Sequence, residues 1–350
     1  MKRWQSIGLG LLISIVAIIY TLHGNDLSLV GAELVHGRYI YLIPYMIFSW
    51  LAFYFRALRW RAILSYRMGI THAFHLTTIG NFLNSFLPLR LGEVARAFLA
   101  TRLSPPIPLL TAASSLLVER FTDLLALLVI LLWTISLHVT NPTIVSAAYA
   151  MGVLAIGGTA LLIVLAARRT MASRLVTWSL TRWPALSRFR LQDFLENLLD
   201  GLQPLTSPTG LALILLWTAF SWLVSVVVAL LLLYVFYDNP NWAAALVVVG
   251  SGSLAIALPA MPGNVGPFEA AIITGLTLVG MVGGSNSPER AVAFAVTFHV
   301  LLVVVYAVLG TFGLSQEKIT LGELRRLISI QRQPAPVPAA TPSETIPPGG

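Results

Sequence analysis

The sequence predicts an all-α integral membrane protein: six spanning helices plus two re-entrant helical hairpins, related by an inverted repeat. Three observations carry that expectation. Of the 350 residues, 57% are hydrophobic and only 10% charged, with a mean hydropathy of +0.82; a soluble chain carries about 25% charged residues. Apolar runs of spanning length, roughly 20 residues, recur along the chain. Finally, two apolar regions are interrupted in the same way. Phe86-Leu87-Pro88-Leu89-Arg90-Leu91-Gly92-Glu93 and Leu258-Pro259 through Pro262-Gly263-Asn264-Val265-Gly266-Pro267-Phe268-Glu269 each lead from Leu-Pro through glycine to glutamate. Pro and Gly end helices, and irregular backbone at membrane depth survives only where protein or a polar cavity covers it.

In chain order, Lys2 and Arg3 precede a first span at 5–22; bulky Ile19-Tyr20-Thr21-Leu22 offers no small-residue cleavage site, so it reads as an uncleaved helix. A second span covers 40–58, and the first hairpin 73–101. The apolar run 109–138 starts with Thr111, Ser114 and Ser115, which allows a tilt or a break near Glu119. A span at 144–167 leads into 171–200, where apolar and basic residues alternate as on a membrane surface. The span 209–237, the second hairpin 242–283 and the span 289–314 follow. Residues 1–317 thus form one membrane domain, and Pro-rich 318–350 a disordered cytoplasmic tail.

With both termini cytoplasmic and each hairpin returning to the side it came from, most of the 22 Lys and Arg residues fall inside. They include Arg56, Arg59, Arg61 and Arg67 after the second span and Arg168 to Arg190 after the fourth. In that topology the trio of 40–58, the first hairpin and 109–138 is the inverse of the trio of 209–237, the second hairpin and 289–314. Such paired interrupted helices mark the substrate site of transporters. The net charge of +8 therefore follows membrane topology and implies no nucleic-acid partner. With no cysteine, thiol and disulfide chemistry is excluded. No G-x-x-x-x-G-K-[ST] loop occurs, so no nucleotide cofactor is expected. His72 and His75 lack a third ligand type nearby, so no metal site is expected, and His299 reads as a packed, hydrogen-bonded histidine.

Seven ionisable residues fall at bilayer depth: Arg90, Glu93, Arg96, Glu119, Arg120, Asp123 and Glu269. Each central charge costs about 2.5–3.5 kcal/mol on insertion scales, so they should converge and pair inside the bundle. Glu93 and Arg96 share a helix face, as do Glu119 and Asp123. Arg90 stands at the first break, where its planar fork suits a phosphate and the following helix start adds its dipole. The turn at Gly263-Asn264 would do the same from the second hairpin, with Asn81, Asn84 and Asn264 as polar neighbours. These are the candidate substrate-binding residues; structural ion pairs and, for Glu269, a first-turn dipole carboxylate are the plainer alternatives. No catalytic residue is assigned.

Four motifs in order resemble the transmembrane region of lysylphosphatidylglycerol synthases and their stand-alone, flippase-like relatives. They are Arg56-Ala57-Leu58-Arg59-Trp60; Gly80-Asn81-Phe82-Leu83-Asn84 with Leu87 through Glu93 and Arg96; Glu119-Arg120-Phe121-Thr122-Asp123; and Pro262 through Glu269. The resemblance spans roughly residues 50–310. It implies movement of an anionic phospholipid or lipid-linked intermediate between leaflets of a bacterial or archaeal plasma membrane. Membrane lipids would be the partners, with a second copy or a lipid-modifying enzyme as protein partner. The soluble aminoacyl-transfer domain of the full synthases has no counterpart in the Pro-rich tail, so no enzyme activity is expected. A membrane-embedded transferase acting on a polyprenyl-phosphate lipid and a non-transporting scaffold are the rival readings.

Overall fold

The computed structural model describes residues 26–87, 91–137, 142–182, 191–257, 262–284, 286–320 and 322–323. The expected first span at 5–22, the break residue Arg90 and nearly all of the 318–350 tail lie outside the described residues. Within them the chain is helical: α1 Leu27–Val35, α2 Leu42–Ile63, α3 Ile70–Phe86, α4 Leu91–Ala100, α5 Leu109–Ser136, α6 Pro142–Ala167, α7 Arg169–Arg182, α8 Leu191–Asp200, α9 Pro208–Phe236, α10 Trp242–Ala257, α11 Pro267–Leu278 and α12 Pro288–Gln316. There is no β-strand among the described residues.

Among the described residues, four segments are long and apolar enough to cross a membrane: Tyr39–Ile63, Ala148–Ala167, Pro208–Phe236 and Pro288–Gln316. The protein is therefore a multi-pass membrane protein. Helix α5 has the length as well, 28 residues or about 42 Å, and runs unbroken through Glu119. Helices α4 and α11 are different: at 10 and 12 residues they reach about 15 and 18 Å, well short of a 30 Å hydrocarbon core. The outer face of α6 is apolar, with Tyr149, Val153, Leu154, Ile156, Leu161 and Val164 exposed, as a lipid-facing helix requires.

Two ends of the bundle can be told apart by their contacts. At one, Arg67 and Arg169 meet Asp200, His72 meets Glu317 and Arg102 meets Glu323. At the other, Arg38 meets Asp238, Glu33 meets Arg290, and Trp133 stacks on Trp242. Most arginines described outside the bundle interior thus gather at the first end.

Helices α2 and α9 pack antiparallel: Tyr41 stacks on Tyr234 at one end, and Phe55 on Trp217 and Phe220 at the other. Helices α3 and α4 start and finish at the arginine-rich end; α10 and α11 start and finish at the opposite end. The two helix pairs meet inside, where the turn Pro262–Asn264 packs on α3 and Gly263 lies against the Ser85 carbonyl. Exchange α2 with α9, α3 with α10, α4 with α11 and α5 with α12, and most packed pairs among them become packed pairs. The pair α3–α4 becomes α10–α11, α4–α5 becomes α11–α12, and α3–α12 becomes α10–α5.

Candidate functional site

Two glycine-dependent breaks position the charged residues, the first through a close approach and the second through backbone angle. At the first break, Gly92 N–H donates to Asn84 Oδ1 at 2.8 Å, which gives the start of α4 an acceptor. A Cβ on Gly92 would sit 2.0 Å from the Gly80 carbonyl oxygen, so only glycine lets α3 and α4 lie this close. At the second break, Gly263, Asn264 and Gly266 have φ of 80, 56 and 94, the left-handed region that glycine enters without steric cost. Those turns redirect the chain into α11.

The first approach sets Arg96 against α5. Its guanidinium donates to both oxygens of Glu119 and lies 4.1 Å from the centre of the Trp60 ring, whose Nε1–H donates to Ser115 Oγ at 3.0 Å. Arg59 of α2 binds Asp123 at 2.6 Å and Glu119 at 3.1 Å. Arg120 reaches Glu119 and Asp123 at 3.2 Å and Glu93 at 3.7 Å. Trp222 of α9 donates to Asp123 at 3.1 Å. Among the described residues, three arginines and three carboxylates therefore form one cluster of balanced charge across α2, α4 and α5. Arg59, Arg96 and Glu119 are almost wholly buried, whereas the Arg120 side chain is 39% exposed. The Nε–H donors of all three arginines are buried without an acceptor among the described residues; donors of that kind need a water or a ligand oxygen.

A second polar pair sits in the other hairpin. Glu269 Oε2 accepts from Gly266 N–H at 2.8 Å, closing the start of α11, while Oε1 meets His299 Nδ1 at 2.5 Å. Both side chains are buried. The pair ties α11 to α12 as Arg96 and Glu119 tie α4 to α5. Glu119 and His299 each lie about three turns into their helices.

Of the candidate residues, Glu93, Arg96, Glu119, Arg120 and Asp123 come together. Asn84 caps α4, Asn81 bonds the Thr77 carbonyl of its own helix at 2.9 Å, and Gly263 and Asn264 form the second turn. Glu269 takes His299 and Gly266 as partners. Arg59, placed among the cytoplasmic arginines from sequence, is the cluster member that reading missed. It lies on the stripe Ser49, Ala52, Phe53, Trp60, Ile63 that α2 buries, and helical spacing would have found it.

Residues 7–310 match the family model for the lysylphosphatidylglycerol synthase TM region. No curated protein and no solved structure matches the chain.

Proposed function

Because the chain belongs to the lysylphosphatidylglycerol synthase transmembrane-region family, we propose that it translocates an anionic phospholipid or lipid-linked intermediate between membrane leaflets. The observation that carries this reading is the meeting of two helical hairpins, one from each end of the bundle, over buried polar pairs. On this reading both are re-entrant, the two trios form an inverted repeat, and the site opens to one side at a time as one hairpin or the other withdraws. The arginine-rich end faces the cytoplasm of a bacterial or archaeal cell.

The neutral cluster serves as the moving joint. Arg59, Arg96 and Arg120 share Glu119 and Asp123 through several alternative bonds, so α4 can shift while each charge keeps a partner. Glu93, Glu119, Asp123 and Glu269 exchange protons or partners as the site alternates, and Arg90, which the sequence places between α3 and α4, is a candidate to meet the phosphate on its way through. Acyl chains stay in the bilayer throughout.

The test is reconstitution into vesicles carrying a fluorescent phosphatidylglycerol or phosphatidylcholine on the inner leaflet, with dithionite quenching from outside. Anionic lipid should become quenchable faster than in protein-free vesicles, and phosphatidylcholine should not. Equal rates with and without protein, for every anionic lipid tried, would remove the translocation reading.

A further inference from the structure

A cavity of about 110 Å³ lies between α2, α9, the second hairpin and α12. Tyr45, Ser49 and Arg56 of α2, Ser225 of α9, Ser253 of α10 and Tyr306 of α12 give its wall a cation and five hydroxyls, and most of the remaining lining is aliphatic or aromatic.

Arg56 differs from every arginine in the cluster. Among the described residues, its hydrogen-bond contact is with Ser225 Oγ at 3.5 Å, its guanidinium lies 5.4 Å from the Phe53 ring centre, and no carboxylate comes within salt-bridge distance of it. A half-buried cation left without a counter-ion inside a membrane protein is costly. Arg56 therefore gives α2 cationic donor capacity at the wall of the chamber that no described carboxylate uses.

We infer that this chamber receives the phosphate of the transported lipid, with Arg56 as its principal ligand and the serine and tyrosine hydroxyls as donors to its remaining oxygens. The assignment rests on the translocation reading and names where in that pathway the head group is held. Size admits it: a cavity of about 110 Å³ has room for several waters and so for a phosphate group. The aliphatic wall favours a phosphate that carries a glycerol or prenyl stem over a free one. Val248, Val249, Gly252 and Phe268 of the second hairpin also line the chamber, so withdrawal of that hairpin would open it.

The test is titration of the purified full-length protein by native mass spectrometry with dioctanoyl-phosphatidylglycerol, dioctanoyl-phosphatidylcholine and inorganic phosphate. Wild type should retain phosphatidylglycerol in preference to phosphatidylcholine. Arg56→Gln should weaken that retention on the order of 10- to 100-fold, the factor expected when hydrogen bonds to a charged group are lost, and Arg56→Lys should restore part of it. Ser253→Leu, which fills the chamber without changing charge, should also weaken it and supplies the answer if Arg56→Gln fails to fold. Undiminished binding by both Arg56→Gln and Ser253→Leu would overturn the assignment while leaving translocation standing. Wild type without any anionic preference would overturn the assignment as well, and the vesicle assay then decides separately whether translocation stands. Inorganic phosphate that binds Arg56 as tightly as the lipid does would replace the lipid with a soluble anion as occupant.

Discussion

Glu119 is the residue on which three cations depend. Arg59, Arg96 and Arg120 all bond it, and with it gone they have only Asp123 and Glu93 among their described partners. Removing one member of a buried charge set typically costs about 3–5 kcal/mol, because the others are left uncompensated. Glu119→Gln should therefore lower thermal stability in detergent by roughly that amount. Arg120→Gln, at a partly exposed side chain whose carboxylates keep Arg59 and Arg96, should cost clearly less. Equal midpoints for the two variants would contradict this account of the cluster. Convergence of Glu93, Arg96, Glu119, Arg120 and Asp123 was legible from sequence, since a membrane interior makes unpaired charge expensive. Arg59 was not, because it stands next to Arg61 at the end of an apolar run, where a basic residue ordinarily signals the cytoplasm. Nor was the Glu269–His299 pair: its two members are on different helices, thirty residues apart, and no periodicity connects them.

Between helices, the two breaks do different work with the same residue types. The first depends on absence of volume: with Gly92 against Gly80, any side chain pushes α4 off α3. Gly92→Ala should destabilise by about 1–3 kcal/mol, the usual cost of overpacking. Gly157→Ala on α6 makes a matched control, since a Cβ there meets nothing within 4 Å. It should be neutral or gain up to about 1 kcal/mol from the lower entropy cost of helical alanine. The second break depends on backbone angle and on a carboxylate that both ends a helix and joins a neighbour. A double-mutant cycle on Glu269→Gln and His299→Gln should give a coupling within the 0.5–3 kcal/mol range of contacting residues; additive effects would mean that the 2.5 Å contact contributes nothing. Pro and Gly announced where these turns fall. Tertiary closeness decided which of them bring α3 and α4 together, and composition carries no such information.

For the molecule as a whole, the separation of two ends by their contacts yields a topology test. The natural chain has no cysteine, so single cysteines can be introduced without a background to remove. Asp238→Cys and Lys318→Cys lie at opposite ends, and an impermeant maleimide applied to intact cells should label the first and spare the second. Labelling of both from outside would contradict a bundle that crosses the membrane with its arginine-rich end inward.

The cluster also imposes a timetable. Arg59 is synthesised about sixty residues before Glu119 and Asp123, which at 5–20 residues per second leaves it without these carboxylates for roughly 3–12 s. During that interval α2 carries an unmatched cation. Arg59 lies within about one turn of the end of α2 at Ile63, close enough for a long aliphatic stem to carry the guanidinium out to the head-group zone. The arginine would then withdraw from the interface as α5 arrives, so the order of biosynthesis becomes the order of burial.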